Sequence, residues 1–104
     1  MTAPAPWSVT EVADLRGDRL LIVAGELDLA TVPELARMLG ALRARGHAVV
    51  LDLADVTFMD SSGLSLLLEA QLDADRDGWE FSIRRASEAV RRIVALAGLQ
   101  RLLA

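Results

Sequence analysis

The sequence predicts an α/β fold: a mixed, mostly parallel sheet of about four strands, with an antiparallel N-terminal hairpin strand and three or more helices. Nearly continuous apolar runs occupy residues 20–27 and 47–56, as in strands covered on both faces. Each run is followed by apolar residues at helical spacing, and alternating strands and helices build parallel sheets through right-handed crossovers. The length of 104 residues suits a single domain, residues 1–104.

The first elements are predicted to form a hairpin. Residues 7–13, WSVTEVA, alternate in the manner of an edge strand, and residues 15–19 contain the Gly and Asp typical of a turn. The apolar run at 20–27 then returns alongside as the next strand. Residues 1–6, rich in Ala and Pro, are expected to be a loose N-terminal segment.

Residues 31–46 predict the first helix. Thr31 and Glu34 stand at the spacing of a capping box, and Pro33 falls in the first turn, where its missing N–H is harmless. Gly46 supplies the stop. The face expected to be buried carries Leu35, Leu39 and Leu42.

Two further helices and a strand are predicted after the second apolar run. A helix over 61–76 is followed by a short alternating strand, WEFSI, at 79–83. Ser87 then caps a last helix that ends at Gly98. The stripes expected to face the core are Leu64, Leu67, Leu68 and Leu72 in the former helix and Val90, Ile93, Val94 and Ala97 in the latter.

The composition excludes several function classes. Cysteine is absent, which removes disulfides, thiolate nucleophiles and iron–sulfur clusters. All 11 basic residues are Arg, which removes chemistry based on a lysine. The net charge of −4 argues against nucleic-acid binding, and Arg84–Arg85 and Arg91–Arg92 are interpreted as solvated surface. The start MTAPAPW lacks a signal-peptide pattern and no run is long enough for a membrane span, so a cytoplasmic protein is expected.

Polar residues follow both central strands, where function gathers in parallel sheets. Asp28 and Thr31 come after the first apolar run, and Asp60, Ser61 and Ser62 after the second, so they are expected to share one edge. Each also has a structural explanation: Asp28 starts a turn, Thr31 caps a helix and Asp60 caps the next one.

The serine pair is harder to explain by structure alone. If Asp60 is the cap, Ser61 and Ser62 are the first helical residues and their hydroxyls are not needed for capping. Gly63 costs the helix about 0.5–1 kcal/mol relative to Ala, and the absence of a side chain would let another surface approach the backbone. A phosphate on a serine here would lie near the positive end of the helix dipole and would change what can dock.

Alternative site chemistries are weak. The serines lack a G-x-S-x-G elbow, and the strand that begins at His47 spans roughly 20 Å by Leu53, so His47 cannot serve Ser61 as a base. A carboxylate metal site from Asp28, Asp55 and Asp60 remains open, although sequence alone cannot show that these groups converge. No Gly-rich phosphate loop is present, and no cofactor is predicted.

Four stretches resemble one known family, the STAS-domain anti-sigma-factor antagonists of bacteria. These are FMDSSGL at 58–64, the preceding VVLDLADVT at 49–57, GELDLAT at 25–31 and AVRRIVALAGL at 89–99. The resemblance covers about residues 8–103, and it implies a single STAS-like domain. D-S-S-G-L alone is a modest signal, but together with the G-E-L-D stretch and the strand order the match is specific.

The resemblance implies a mechanism. Such an antagonist binds an anti-sigma factor that is also a serine kinase, so that the sigma factor is released. The kinase phosphorylates the serine that follows Asp, here Ser61; the phosphorylated form lets go, and a serine phosphatase restores it. Asp28 and Thr31 would line the docking surface, and Ser62 would shape the helix start. The implied partner-binding set is Asp28, Thr31, Asp60, Ser61, Ser62 and Gly63.

On this interpretation the protein is a phosphorylatable binding module and not an enzyme. Two other hypotheses stay open. The first is a STAS subunit that regulates a membrane transporter ATPase, whose binding would depend little on Ser61. The second is a hydrolase or nucleotide-processing enzyme, for which a turnover assay would be the discriminating observation.

Overall fold

The computed structural model describes residues 6–103 and confirms the α/β fold with a mixed sheet. The elements are β1 (Ser8–Ala13), β2 (Arg19–Leu27), α1 (Val32–Ala44), β3 (Val49–Met59), α2 (Ser61–Asp77), β4 (Phe81–Arg84), α3 (Glu88–Leu96) and a short 3₁₀ helix (Gln100–Leu103). The sheet order is β1-β2-β3-β4, with β1 antiparallel to β2 and the other pairs parallel. The loose segment predicted at 1–6 lies outside the described residues, apart from Pro6.

The core is built on one face of the two central strands. Leu21 of β2 and Leu51 of β3 are register partners, and both are fully buried. The three leucines predicted to form the inner face of α1 are buried as expected. Each such side chain stabilises the fold by about 1.5–3 kcal/mol.

The opposite face of β2 is only half covered. Leu20, Ile22 and Ala24 are partly exposed and Glu26 is exposed, so the expectation of strands covered on both faces is wrong. A run of apolar residues cannot separate the two cases, because β-branched and aliphatic side chains also suit a half-buried pleated surface.

Helix α2 buries a different stripe from the predicted one. Its buried residues are Gly63, Leu66, Leu67, Ala70 and Ala74. Leu72 is 55% exposed, and of the predicted stripe only Leu67 is fully buried. Small residues occupy the face nearest the core, because they let a helix approach closely packed neighbours. The leucine stripe therefore lies towards the margin of the buried face.

Strand β3 contains two bulges that bring the strand ends into line. It has 11 residues and β2 has 9, and the pairing shifts register between Ile22 and Ala24 and again between Gly25 and Glu26. Each shift takes up one extra residue of β3. As a result Leu27 and Met59, the last residues of the two strands, are still register partners.

A buried carboxylate lies beside the first bulge. Asp52 is 1% exposed; its Oδ1 accepts from the Ala54 N–H at 3.1 Å, and its Oδ2 accepts from Arg85 Nε at 2.9 Å. Burial raises the pKa of Asp52, but the hydrogen bond and charge of Arg85 outweigh it, and the pKa is lowered. Arg84 also reaches Oδ2, at 3.5 Å. Arg84 and Arg85 are exposed, as interpreted from the sequence, but both also reach the buried Asp52 carboxylate.

Candidate functional site

The loops that follow β2 and β3 meet at the carboxyl edge of the sheet. Because Leu27 and Met59 are paired, Asp28 and Asp60 leave the sheet side by side. The Asp60 N–H donates to the Leu27 carbonyl at 3.3 Å, which ties the two loops together. We call residues 28–31 and 60–62 the rim. It contains five of the six residues predicted for partner binding.

Thr31 is committed to the structure of the first rim loop. Its Oγ1 donates to the Glu26 carbonyl at 2.7 Å and accepts from the Asp28 N–H at 3.0 Å. The Asp28 carboxylate in turn accepts from the Ala30 N–H at 3.0 Å. Both side chains therefore hold the loop against the end of β2.

The capping box predicted for α1 is wrong. Thr31 is the N-cap residue, but its side chain accepts no hydrogen bond from the first turn of the helix. Glu34 does not reach back to it; the Glu34 carboxylate accepts from the indole N–H of Trp7 instead. The competing partners are Trp7, just before β1, and the end of β2 with the loop after it, and the spacing of Thr31 and Glu34 cannot reveal them.

Asp60 caps α2 as predicted. Its Oδ1 accepts from the N–H groups of Ser62 at 2.9 Å and Gly63 at 3.3 Å, and the Ser62 hydroxyl donates to the same oxygen. The Ser62 hydroxyl, followed by backbone N–H groups that include that of Leu29, lowers the pKa of Asp60. Asp60 therefore stays ionised and links both rim loops to the helix start.

Ser61 differs from its neighbour. It is the first residue of α2 and is exposed, and no hydrogen bond joins its hydroxyl to another described residue. Ser62 is half-buried, and its hydroxyl donates a hydrogen bond to the Asp60 carboxylate. Neither hydroxyl caps a backbone N–H of the helix, as expected when Asp60 is the cap, but the Ser62 hydroxyl donates to that cap.

Gly63 is required by packing inside the domain. A Cβ at this position would lie 2.6 Å from Met59 Cγ and 2.9 Å from the Leu27 carbonyl oxygen, closer than such atoms approach. Gly63 is itself buried. The surface that approaches its backbone is therefore the end of β2 and β3, and the idea that Gly63 opens the backbone to an external partner is corrected.

Two exposed apolar residues near the rim were missed by the sequence reasoning. Leu29, in the first rim loop, is 78% exposed, and Phe58, one residue before the end of β3, is 48% exposed. Leu29 could have been found as a large apolar residue in the loop segment between Asp28 and Thr31. Phe58 could not, because the second bulge of β3 breaks the alternation that would place it.

The described residues do not provide the geometry that a metal site or a serine–histidine pair would need. Within residues 6–103 no group of three or more His, Asp or Glu side chains is placed to hold a metal ion, and this includes Asp28, Asp55 and Asp60. His47 precedes β3 whereas Ser61 follows it, so the whole strand separates them. Across these same residues, no helix has both the length and the apolar character needed to cross a bilayer.

Comparison with known proteins agrees with this architecture. The family model described as "Mlab, STAS domain" matches residues 12–104. The anti-sigma-B factor antagonist of Staphylococcus epidermidis is 38% identical over 82 residues, which cover 78% of this chain and 76% of that protein. An anti-sigma factor antagonist from Mycobacterium paratuberculosis superposes with a TM-score of 0.80 at 30% identity, over 99% of this chain and 87% of that one.

A more distant neighbour has the same fold. The unphosphorylated form of the anti-sigma factor antagonist SpoIIAA superposes with a TM-score of 0.77 at 20% identity, over 93% of this chain and 86% of that one. The phosphorylated form, from Bacillus, gives a TM-score of 0.73 at 19% identity, over 93% and 89% of the two chains. The fold and rim thus define a small α/β regulatory domain of the kind found in anti-sigma-factor antagonists. The chain belongs to the STAS domain family.

Proposed function

We propose that this protein is a cytoplasmic anti-sigma-factor antagonist that works by partner switching and has no catalytic activity of its own. In the unphosphorylated state its rim binds an anti-sigma factor that is also a serine kinase, and a sigma factor is released. The kinase transfers the γ-phosphoryl group of ATP to the Ser61 oxygen: the bond between the γ-phosphorus and ADP breaks, ADP and the hydroxyl proton leave, and the complex dissociates. A serine phosphatase returns the protein to its binding state.

The observation that carries the proposal is the difference between the two rim serines. Ser61 is exposed and its hydroxyl has no partner among the described residues, whereas the Ser62 hydroxyl is bound to Asp60. A kinase needs access to a hydroxyl that the fold does not use. Ser61 meets that requirement and Ser62 does not.

The electrostatics of the rim explain how a phosphoryl group would act. The N–H groups of Ser62 and Gly63, which would otherwise bind an anion, are already bonded to the Asp60 carboxylate. A phosphate on Ser61 would therefore project towards solvent and add about −1.5 to −2 charges beside Asp60 and Asp28. Charge repulsion and the cost of desolvating the phosphate would weaken binding of the partner. The stability of the fold would change little.

The same surface offers contacts for binding. Leu29, in the first rim loop, and Phe58, two residues before Asp60, present exposed apolar area. Apolar contact of this kind supplies affinity, and the polar rim around it supplies specificity. SpoIIAA, a protein of this fold, is known in both an unphosphorylated and a phosphorylated form.

The proposal is tested with three variants as baits in lysate from the source organism: Ser61→Ala, Ser61→Asp and, as a charge control, Thr10→Asp. Thr10 is an exposed residue of β1. The Ser61→Ala and Thr10→Asp forms should capture the same ATP-binding kinase, and the Ser61→Asp form should capture little of it. The kinase is identified by mass spectrometry and by its phosphorylation of the wild-type chain.

Other outcomes would reject the proposal. Equal capture of the kinase by Ser61→Ala and Ser61→Asp would mean that charge at Ser61 is not the switch. Capture of a transporter ATPase component by all three baits would instead identify a constitutive transporter subunit, the alternative that depends little on Ser61.

A further inference from the structure

The first bulge of β3 is held by the side chain of Asp52. At this bulge one residue of β2, Val23, lies opposite two residues of β3, Leu53 and Ala54. The ladder therefore cannot pair every backbone N–H of β3 there. The Asp52 carboxylate accepts a hydrogen bond from the Ala54 N–H at 3.1 Å. The side chain thus stabilises the bulged form of the strand.

The other carboxylate oxygen of Asp52 is bound from the loop between β4 and α3. Arg85 donates to it through Nε at 2.9 Å and also through Nη2. From the same loop, the Ser87 N–H donates to the Leu53 carbonyl at 3.1 Å. We call Asp52, Arg85 and Ser87 the bulge clamp, because they join the bulged residues of β3 to this loop.

The bulge clamp contains a strained backbone and a buried charge. Arg85 has a φ of +52°, in the left-handed region that residues other than glycine rarely adopt. Asp52 is 1% exposed, and it is the one charged side chain that is buried within residues 6–103. A buried ion pair adds little net stability, because desolvation offsets the attraction, but it can fix one register. Strain and buried charge together indicate a specific role for this contact.

The bulge sets the position of the rim. With it, Leu27 and Met59 are register partners, and the Asp60 N–H reaches the Leu27 carbonyl at 3.3 Å. Without the extra residue, Phe58 would lie opposite Leu27, and Asp60 would lie one residue, about 3.3 Å, farther from the end of β2. The side chains between the bulge and the rim would also turn to the opposite face. The two rim loops would then no longer leave the sheet side by side.

We propose that Asp52 and Arg85 are positioning residues for Ser61: their contact holds the bulged register of β3 and thereby keeps the two rim loops aligned for the partner. Neither residue belongs to the rim, since Asp60 lies eight residues beyond Asp52, roughly 25 Å along a strand. The inference rests on the proposed partner switching, because it names residues outside the rim on which binding of the kinase depends.

The expected effect is on binding of the kinase and not on the transfer of the phosphoryl group. If the partner binds only molecules whose rim is aligned, the apparent affinity falls in proportion to the aligned fraction. When loss of the clamp reduces this fraction to about a tenth, the KM of the kinase for the chain rises about tenfold. Once an aligned molecule is bound, Ser61 is in its usual place, so kcat stays within about twofold of the wild-type value.

Two variants remove the contact from either side. In Arg85→Gly only the guanidinium is lost, because glycine adopts the left-handed backbone of this position without strain. In Asp52→Asn the amide oxygen still accepts from Ala54, but the amide nitrogen cannot accept from Arg85. Combining the two changes should add little, since both remove the same contact. Arg84→Ala is the matched control, because Arg84 reaches the same oxygen only at 3.5 Å.

The first measurement is amide hydrogen exchange of the full chain, followed by NMR, which needs no partner. In Arg85→Gly and Asp52→Asn the Asp60 amide should lose most of its protection, while the amide of Leu39 in α1 should keep it. Arg84→Ala should match the wild type. Faster exchange at all amides alike would show a merely structural role and overturn the proposal. Wild-type protection of Asp60 in both variants, or an equal loss in Arg84→Ala, would also overturn it.

The second measurement is steady-state phosphorylation of each chain by the captured kinase. KM should rise about tenfold in Arg85→Gly and Asp52→Asn at nearly constant kcat, and Arg84→Ala should keep both constants. An unchanged KM in a variant whose Asp60 amide has lost its protection would overturn the inference, because the partner would not depend on alignment. Failure to capture any kinase would reject the proposed function, and with it the link to phosphorylation. The exchange result would still show whether the clamp holds the rim in register.

Discussion

The two junctions that form the rim look alike in sequence and differ in what they leave free. Each places an aspartate directly after a central strand, with a hydroxyl residue close behind. At the first junction, Asp28 and Thr31 bond to each other and to the end of β2, and no side chain caps the helix. At the second, Asp60 caps α2 and binds Ser62, and Ser61 is left over.

The comparison shows that the position of a hydroxyl residue relative to the helix N-cap decides whether its hydroxyl is free to react with a kinase. Thr31 occupies the N-cap position and is drawn back into its loop. Ser61, one position after its cap, is exposed, and its hydroxyl makes no hydrogen bond to another described residue. The first junction is therefore structural, and the second joins a structural cap to an accessible hydroxyl.

The largest expected effect is on partner binding. Ser61→Asp should weaken binding of the captured anti-sigma kinase by about 100-fold, because it places a charge in the docking surface. The melting temperature should change little, since an acidic residue in the first turn favours the helix dipole. Isothermal titration and thermal melts measure the two quantities. A large loss of thermal stability would contradict the exposed position of Ser61.

Gly63→Ala should disturb the packing beneath the second junction. Although Ala is the better helix former, the added Cβ meets Met59 and the Leu27 carbonyl, so unfolding free energy should fall by about 1–3 kcal/mol. Gly40→Ala in α1 is the matched control, since a Cβ there meets nothing within 4 Å. It should stabilise the protein by about 0.5–1 kcal/mol. Urea denaturation of both variants should give opposite signs.

Removing each hydroxyl sharpens the contrast between the junctions. Thr31→Ala should cost about 1–2 kcal/mol, because the Asp28 N–H and the Glu26 carbonyl lose their partner. Ser61→Ala should stay within about 0.5 kcal/mol of the wild type. Thr31→Ser keeps the hydroxyl and should recover most of the loss. Equal costs for Thr31→Ala and Ser61→Ala in urea titrations would show that both hydroxyls are structural.

The smallest effect is the acid dependence of stability. The pKa of Asp60 is lowered below its usual value of 3.8, first by the Ser62 hydroxyl, and that of Asp52 is lowered because Arg85 outweighs burial. A carboxyl with a lowered folded-state pKa stabilises the fold above the unfolded pKa, and this stability is lost as pH falls through the folded pKa. Stability should therefore decline as pH drops below about 4. Asp60→Asn should flatten this decline relative to the wild type in urea titrations at stepped pH.

The sequence predicted those parts of the fold that depend on neighbours along the chain. The Asp60 and Ser87 caps and the leucine face of α1 follow from local spacing, and the structure confirms them. The edge shared by Asp28 and Asp60 also follows, because parallel strands end on one side. The hairpin and the alternation of strands with helices needed only the pattern of apolar runs and turns.

The missed features depend on contacts between residues far apart in the chain. The buried Asp52 carboxylate finds its partner in Arg85, 33 positions later, and the Glu34 carboxylate binds Trp7 instead of completing a capping box. Gly63 has its role because Leu27 lies against it. No spacing rule contains such information, and only the folded chain brings these partners together.

The most direct test of the central claim is to locate the phosphoryl group. The wild-type chain, Ser61→Ala and Ser62→Ala are incubated with the captured kinase and ATP, and the products are mapped by tandem mass spectrometry and tested for rebinding. The account predicts a single phosphate, on Ser61, in the wild type and in Ser62→Ala, none in Ser61→Ala, and loss of binding once it is attached. A phosphate on Ser62, or a phosphorylated chain that binds as tightly as before, would contradict it.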